Sequence, residues 1–169
     1  MKTPEKSAKE KRYDVDAVKN RLNAYRDKER EIDIKIERLE TLDSKMKSVG
    51  SPGMSDMPKA PGMSGDKMAR DLERKEELQN AIDAAVREQK TEQKAIESIL
   101  EKLPVPDEKE VICIRYLDCN SWSEVAKIMF GMKDDYERKQ DTYLRRTFKV
   151  HGAALLHFAM IEEDGEVQQ

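Results

Sequence analysis

Three cations near the end of the chain are the residues best placed to do chemistry: Arg145, Arg146 and Lys149, in the run DTYLRRTFKVHGAALLHF. Set on a helix at 100° per residue, Leu144, Phe148, His151, Leu155 and Phe158 share one face, which predicts a core side. The three cations fall on the opposite side, beside Thr142 and Ala153. A guanidinium in such a stripe can fork onto guanine in a major groove, and an ammonium can neutralise a phosphate. The chemistry implied is recognition of double-stranded DNA. A solvated helix face explains three cations just as simply in a chain that is 40% charged. Arg138, Lys139 and Lys127 are further candidates for phosphate contact, with Lys133 behind them. Tyr143 either faces the groove or braces the turn before it. Ser121 and Ser123 stand at a helix start whose backbone N–H groups suit a phosphate.

Other chemistries find less support. His151 and His157 are six residues apart, on different faces of one helix, which is poor geometry for a metal, and His151 reads as a core residue. Cys113 and Cys119 are too few for a disulfide framework and lack paired CxxC spacing. Cys113 reads as a small buried hydrophobe, and Trp122 as the cover of a small core. The many Asp and Glu residues sit on long helices without apolar pockets, where tuned acids and bases are not expected. There is no Gly-rich phosphate loop, nucleophile elbow or HExxH. No catalytic residues, metal or cofactor are expected, and the chain does not read as an enzyme.

The elements that must position the cations begin at Pro104 and Pro106, which mark a stop. Asp107 is the expected cap of a new helix, DEKEVICIRYLD, with Val111, Ile112, Ile114, Tyr116 and Leu117 as its apolar content. Cys119-Asn120 predict a tight break. Ser121 and Glu124 then have the S-x-x-E spacing of a capping box, opening a helix, WSEVAKIMF, with Val125, Ile128 and Met129 inward and Gly131 at its end. Residues 132–141, MKDDYERKQD, read as an extended turn or a helical extension, and the last helix as about 141–161.

This order of motifs resembles the region-4 DNA-binding domain of sigma-70-type factors. It is more closely similar to the phage-encoded late transcription regulators of Gram-positive bacteria, the ArpU and RinA type. The residues that carry the likeness are Arg115-Tyr116 at the end of the first helix, the SW-x-E-φ-A segment from Ser121 to Ala126, and the H-x-x-AL run of His151, Ala154 and Leu155. The resemblance spans about 60 residues by this count of the motif-bearing stretch. It implies a helix-turn-helix domain over 104–161, control of a phage or prophage promoter, and RNA polymerase as a partner. One departure is visible: some ten residues separate Met129 from the last helix, where the family has only a few.

Upstream, the chain reads as helix, loop, helix. Val15, Val18, Leu22, Tyr25, Ile32, Ile36, Leu39 and Met46 recur at heptad-like steps, with Glu29 and Asp43 in two of the slots. A helix over 13–48 would run about 54 Å. Residues 50–65 hold three prolines and four glycines and cannot continue it. A second helix is expected from an Asp66 cap to about Leu103, with Met68, Leu72, Ile82, Val86, Ile96, Leu100 and Leu103 on one stripe, widened by Leu78, Ala85 and Ile99. Two such helices pair most simply as an antiparallel hairpin, though each stripe could instead pair with another chain. The expected fold is therefore all-α: a disordered lead at 1–12, a long coiled-coil hairpin at 13–103 with a flexible loop at 49–66, the helix-turn-helix domain at 104–161, and an acidic tail at 162–169.

A net charge of −3 restricts any DNA contact to a local patch. The charged start, MKTPEKSAKEKRY, has no apolar run of the kind a secretory signal needs, and no segment approaches the 18 apolar residues of a membrane span. A cytoplasmic, homo-oligomeric protein is expected, without membrane contact. Two rival readings remain open: a small terminase-like DNA-packaging factor, and a coiled-coil interaction module whose last helices never touch DNA.

Overall fold

The computed structural model describes residues 13–49 and 63–166. The expected disordered lead, most of the loop 49–66 and the end of the acidic tail lie outside the described residues. Every regular element among the described residues is helical: α1 (Val15–Val49), α2 (Met63–Leu100), α3 (Pro106–Ile112), α4 (Trp122–Phe130) and α5 (Gln140–Glu166). None of these helices is long and apolar enough to cross a membrane. By contact density the chain divides into two units, one formed by residues up to Asn23 together with those from Ile96 onward, the other by Ala24–Ala95. The division falls within the long helices rather than at Leu103.

In the second unit, α1 and α2 run side by side in opposite directions. Their cross-links step up one helix as they step down the other: Gln89 to Tyr25, Glu88 to Lys28, and Lys75 to Asp43. Tyr25, Ile32, Ile82 and Ala85 are buried between them. The two polar residues in the seam of α1 are bridged. The Gln89 amide donates to the Tyr25 carbonyl oxygen (2.9 Å) and to the Glu29 carboxylate (3.0 Å). Asp43 accepts from Lys47 and Lys75, which hold its carboxyl down to about 2. Farther from the first unit along the sequence the stripes stay open. Ile36, Met68 and Leu72, expected on the seam, are exposed. α2 also starts at Met63, so Asp66 lies in its first turn, paired with Arg70, instead of capping it.

The first unit gathers α3, α4 and α5 with the first turns of α1 and the last of α2. Val18, Leu22, Ile96, Leu100, Val111, Ile112, Tyr116, Val125 and Phe158 are among its buried apolar side chains. α3 starts at Pro106 with Val105 in the extended cap position. Proline's fixed φ and missing N–H suit the first helical residue, so the helix begins one residue before the expected Asp107 cap. The helix then widens into a π-type turn, Cys113–Leu117, closed by the Asp118 N–H donating to the Cys113 carbonyl oxygen (2.9 Å). It stops at Cys119, whose φ of 58° is left-handed. Arg115 then donates to the Asn120 carbonyl oxygen (2.6 Å) and lies 4.7 Å from the centroid of Trp122.

α5 is anchored differently from the apolar count. Its most buried residues are Thr147, His151, Ala154, Leu155, Phe158 and Ala159, while Phe148, expected inward, is 44% exposed and Leu144 only half-buried. The inward line runs 147, 151, 154, 158, the spacing of a helix–helix seam. Small residues occupy it where neighbouring helices come close, and its polar groups are satisfied. Thr147 donates back to the Tyr143 carbonyl oxygen (3.0 Å), and His151 Nε2 shares a hydrogen bond with the Tyr116 hydroxyl (3.0 Å). α4 shows the same correction: Val125, Ala126 and Phe130 are buried, Met129 is half-buried, and Ile128 is 57% exposed. α5 continues to Glu166, so the first residues of the expected acidic tail are helical, and Glu162 there pairs with Arg21 of α1.

Burial, together with the nearby charges of Lys19 and Arg115, pushes the His151 imidazole down to about 4. The unfolded chain, with an ordinary histidine near 6.5, therefore takes up a proton first as pH falls. Stability present at neutral pH is lost from about pH 6.5 down to about pH 4, by about 2 kcal/mol between pH 7 and pH 5. His151→Gln keeps a polar partner for Tyr116 but does not titrate, and urea unfolding should show that share of the pH slope removed. Identical slopes for the two chains would contradict this role.

Candidate nucleic-acid interface

The start of α4 is built by local chemistry. The Ser121 N–H donates to the Glu124 carboxylate (2.7 Å), and the Glu124 N–H donates to Ser121 Oγ (3.3 Å), completing the predicted capping box. Ser121, through its hydroxyl first and then its backbone N–H, holds the Glu124 carboxyl below the usual range. The carboxylate thus already serves this helix start, and a phosphate arriving there would meet a negative charge. Ser123 is exposed one residue into the helix. Trp122, half-buried, packs edge-on against His151 and Phe148, with ring centroids 4.7 and 5.0 Å apart. α4 ends at Gly131, where a Cβ would fall 2.4 Å from the Lys127 carbonyl oxygen, so the tight exit needs glycine.

The connection from α4 to α5, open between turn and helix in the sequence, is a compact turn. It carries one short 3-10 segment, Tyr136–Arg138, with Tyr136 buried. Asp135 ties it to α5 through the Tyr143 hydroxyl, which donates to its carboxylate (2.6 Å), and braces the turn itself through Lys139, which pairs with its other oxygen (2.8 Å). Lys139 and Tyr143 together hold the Asp135 carboxyl down to about 2, while Asp135 raises the titration of both. Phe130, Tyr136 and Tyr143 stack beside this network, with centroids 5.3 and 5.5 Å apart. Tyr143 accordingly braces the turn. Lys139 is spoken for by Asp135, and a phosphate would have to compete for it.

The remaining sequence-predicted residues stand clear. Thr142, Arg145, Arg146 and Lys149 are exposed on α5, as are Lys127 and Lys133 and, in the turn, Arg138. The Arg146 guanidinium lies 5.0 Å from the centroid of Phe130, the last residue of α4. No ion pair within 4.0 Å joins Arg145, Arg146 or Lys149 to a carboxylate among the described residues. For Arg146 and Lys149 the local sequence accounts for this, since from Thr142 to Ile161 there is no Asp or Glu; Arg145 has Asp141 four residues before it on α5, and the two are not within ion-pair distance. That gap, in a chain where carboxylates are otherwise frequent, is the signal that charge counting over the whole chain misses. Ile128 and Phe148 add exposed apolar surface on α4 and α5. Among the described residues, no group of three or more His, Cys, Asp or Glu is placed to hold a metal ion.

Asp135→Asn tests whether this carboxylate orders the turn. Amide exchange across 136–143 should speed up on the order of tenfold, because local opening loses two hydrogen-bonded ties. Exchange unchanged from the wild type would move the bracing role to the aromatic stack alone. Comparison of the chain with protein-family models, with curated proteins and with solved structures gives no match.

Proposed function

We propose that the first unit is a helix-turn-helix-type DNA-binding domain, and that the chain is a transcription regulator of the phage or prophage kind. α5 would lie in a major groove, presenting Arg145, Arg146 and Lys149, with α4 crossing the sugar–phosphate backbone behind it. The observation that carries this reading is an exposed cationic face on α5 with no carboxylate paired to it among the described residues. Arg145 and Lys149, four residues apart on one line of a well-anchored helix and unpaired among the described residues, favour an external polyanion. Arg146 and Lys149 have no carboxylate three or four residues away on α5, the spacing at which Lys35 pairs with Glu31 on α1.

The motif order Arg115-Tyr116, Ser121–Ala126 and His151–Leu155 supports the same reading through its likeness to sigma region 4 and to the ArpU and RinA type. That likeness also suggests RNA polymerase as a protein partner. The open apolar positions of α1 and α2, Ile36, Met68 and Leu72, are where a second copy would add contacts, and a small domain gains specific affinity from two half-sites. The site is non-enzymatic in this proposal and uses no cofactor.

The decisive experiment is a chromatin pull-down with the full chain in its own host, read for a focused peak, followed by gel shifts on that fragment. Arg145→Ala with Arg146→Ala should weaken binding and make the salt dependence shallower by about 2 in slope if both contact phosphate, since each neutralised phosphate contributes about 0.9. Binding with unchanged affinity and slope would remove both arginines from the interface. Light scattering that finds a ring of many subunits would favour a DNA-packaging factor instead.

A further inference from the structure

Among the described residues, α5 carries a glycine deep in its interior that nothing within the fold explains. Gly152 lies a dozen residues into a helix of 27 residues, where glycine is the least favourable choice after proline. Beyond its own stretch of helix backbone, a Cβ built there meets no atom within 4 Å, and its φ lies outside the left-handed range. Neither close helix packing nor backbone geometry requires it. Gly65 and Gly165 are equally unobstructed, but both stand near the end of a helix, where glycine costs little.

Gly152 is exposed on the same line as the cations, three residues after Lys149 and seven after Arg145. These offsets correspond to about 4.5 and 10.5 Å along the axis. An α-helix with its side chains is about 10–12 Å across, and the major groove is about 12 Å wide. A helix in that groove has no slack, so a missing side chain decides how near its backbone can come to the groove wall. Close approach of the main chain to a ligand is one of the recurrent uses of glycine.

We propose that Gly152 is where the α5 backbone meets a sugar–phosphate strand, with Lys149 and Arg145 holding that strand on one side. The inference rests on the DNA-binding reading above and adds the contact that sets how deeply α5 is seated. The other occupant to consider is a helix of a second copy, laid across Phe148, Gly152 and Leu156 at their four-residue spacing. Arg145 and Lys149, on the same line and without an ion-pair partner among the described residues, favour the polyanion.

The test uses the full chain and a short duplex that the wild type selects from a randomised pool, with Gly152→Ala, Gly152→Leu and Lys149→Ala compared. Gly152→Ala should raise Tm by about 3 °C, because alanine favours the helix. It should nonetheless weaken duplex binding on the order of tenfold, a loss of about 1.4 kcal/mol, and Gly152→Leu should weaken it further. Neither changes the salt slope, because no charge is removed, whereas Lys149→Ala should make it shallower by about 1. Mass by light scattering should be the same for all four chains. The proposal is overturned if both glycine variants bind as the wild type does, or if their binding falls only in step with a change in mass. If the wild type selects no duplex, the DNA-binding reading fails first and this contact falls with it. Should the leucine variant not fold, the alanine variant decides alone.

Discussion

The first unit depends on the seam along which α5 is buried. Its inward line is made of Thr147, His151, Ala154 and Phe158, and two of those four carry polar groups that must be satisfied away from water. The Tyr116 hydroxyl meets His151, and Thr147 bonds back to its own helix. A buried donor or acceptor left alone costs about 1–3 kcal/mol, so the Tyr116–His151 bond restricts α5 to one rotation about its axis, while Thr147 carries its acceptor with it and can be buried there without that cost. A uniformly greasy seam would tolerate several. Trp122 closes the arrangement by packing on His151 from α4, with the Arg115 guanidinium above its ring.

The rotation of α5 decides which residues face outward. With Thr147 and Ala154 inside, Arg145 and Lys149 point away from the unit, and Arg146 is turned toward Phe130 at the edge. Placing Phe148 inside instead, as its size suggests, would shift the cationic line toward α4. The polar members of the seam thus serve the surface: they determine the direction of a basic stripe that the apolar residues alone would leave ambiguous. The turn from 131 to 139 works to the same end. Gly131 permits the sharp exit from α4, and Asp135 fastens the turn to the first turns of α5.

Local signals in the sequence were the most legible. The capping box of Ser121 and Glu124, the break at Cys119-Asn120, the stop at Pro104 and Pro106, and the pairing of two long helices each follow from short-range chemistry and are present. Faces were harder. Hydropathy weighs size, so it places Ile128 and Phe148 inside and passes over Thr147. Close helix contact instead selected the small residues Ala126 and Ala154 and a hydrogen-bonded threonine. The seam of the hairpin showed the opposite difficulty: its polar slots, Glu29 and Asp43, read as interruptions, and only the structure supplies Gln89 and Lys75 across from them. The exposed cations were legible by position. That Lys139 and Tyr143 belong to the turn was not, because it depends on a carboxylate four and eight residues away in a segment with no periodic pattern.

The tie between Arg21 and Glu162 links residues 141 positions apart in sequence. Val18 and Leu22 belong to the same unit as Phe158, so early residues must wait for late ones before the unit is complete. Closing so long a loop from an open chain would be slow, since non-local contacts are formed only after the entropy of closure is met. α1 and α2 shorten that search. Once they zip together through neighbouring turns, the beginning of one and the end of the other are delivered side by side, and α3 to α5 condense onto a base already assembled. On a ribosome, the long pair would be synthesised first and act as the nucleus on which the smaller helices settle as they emerge.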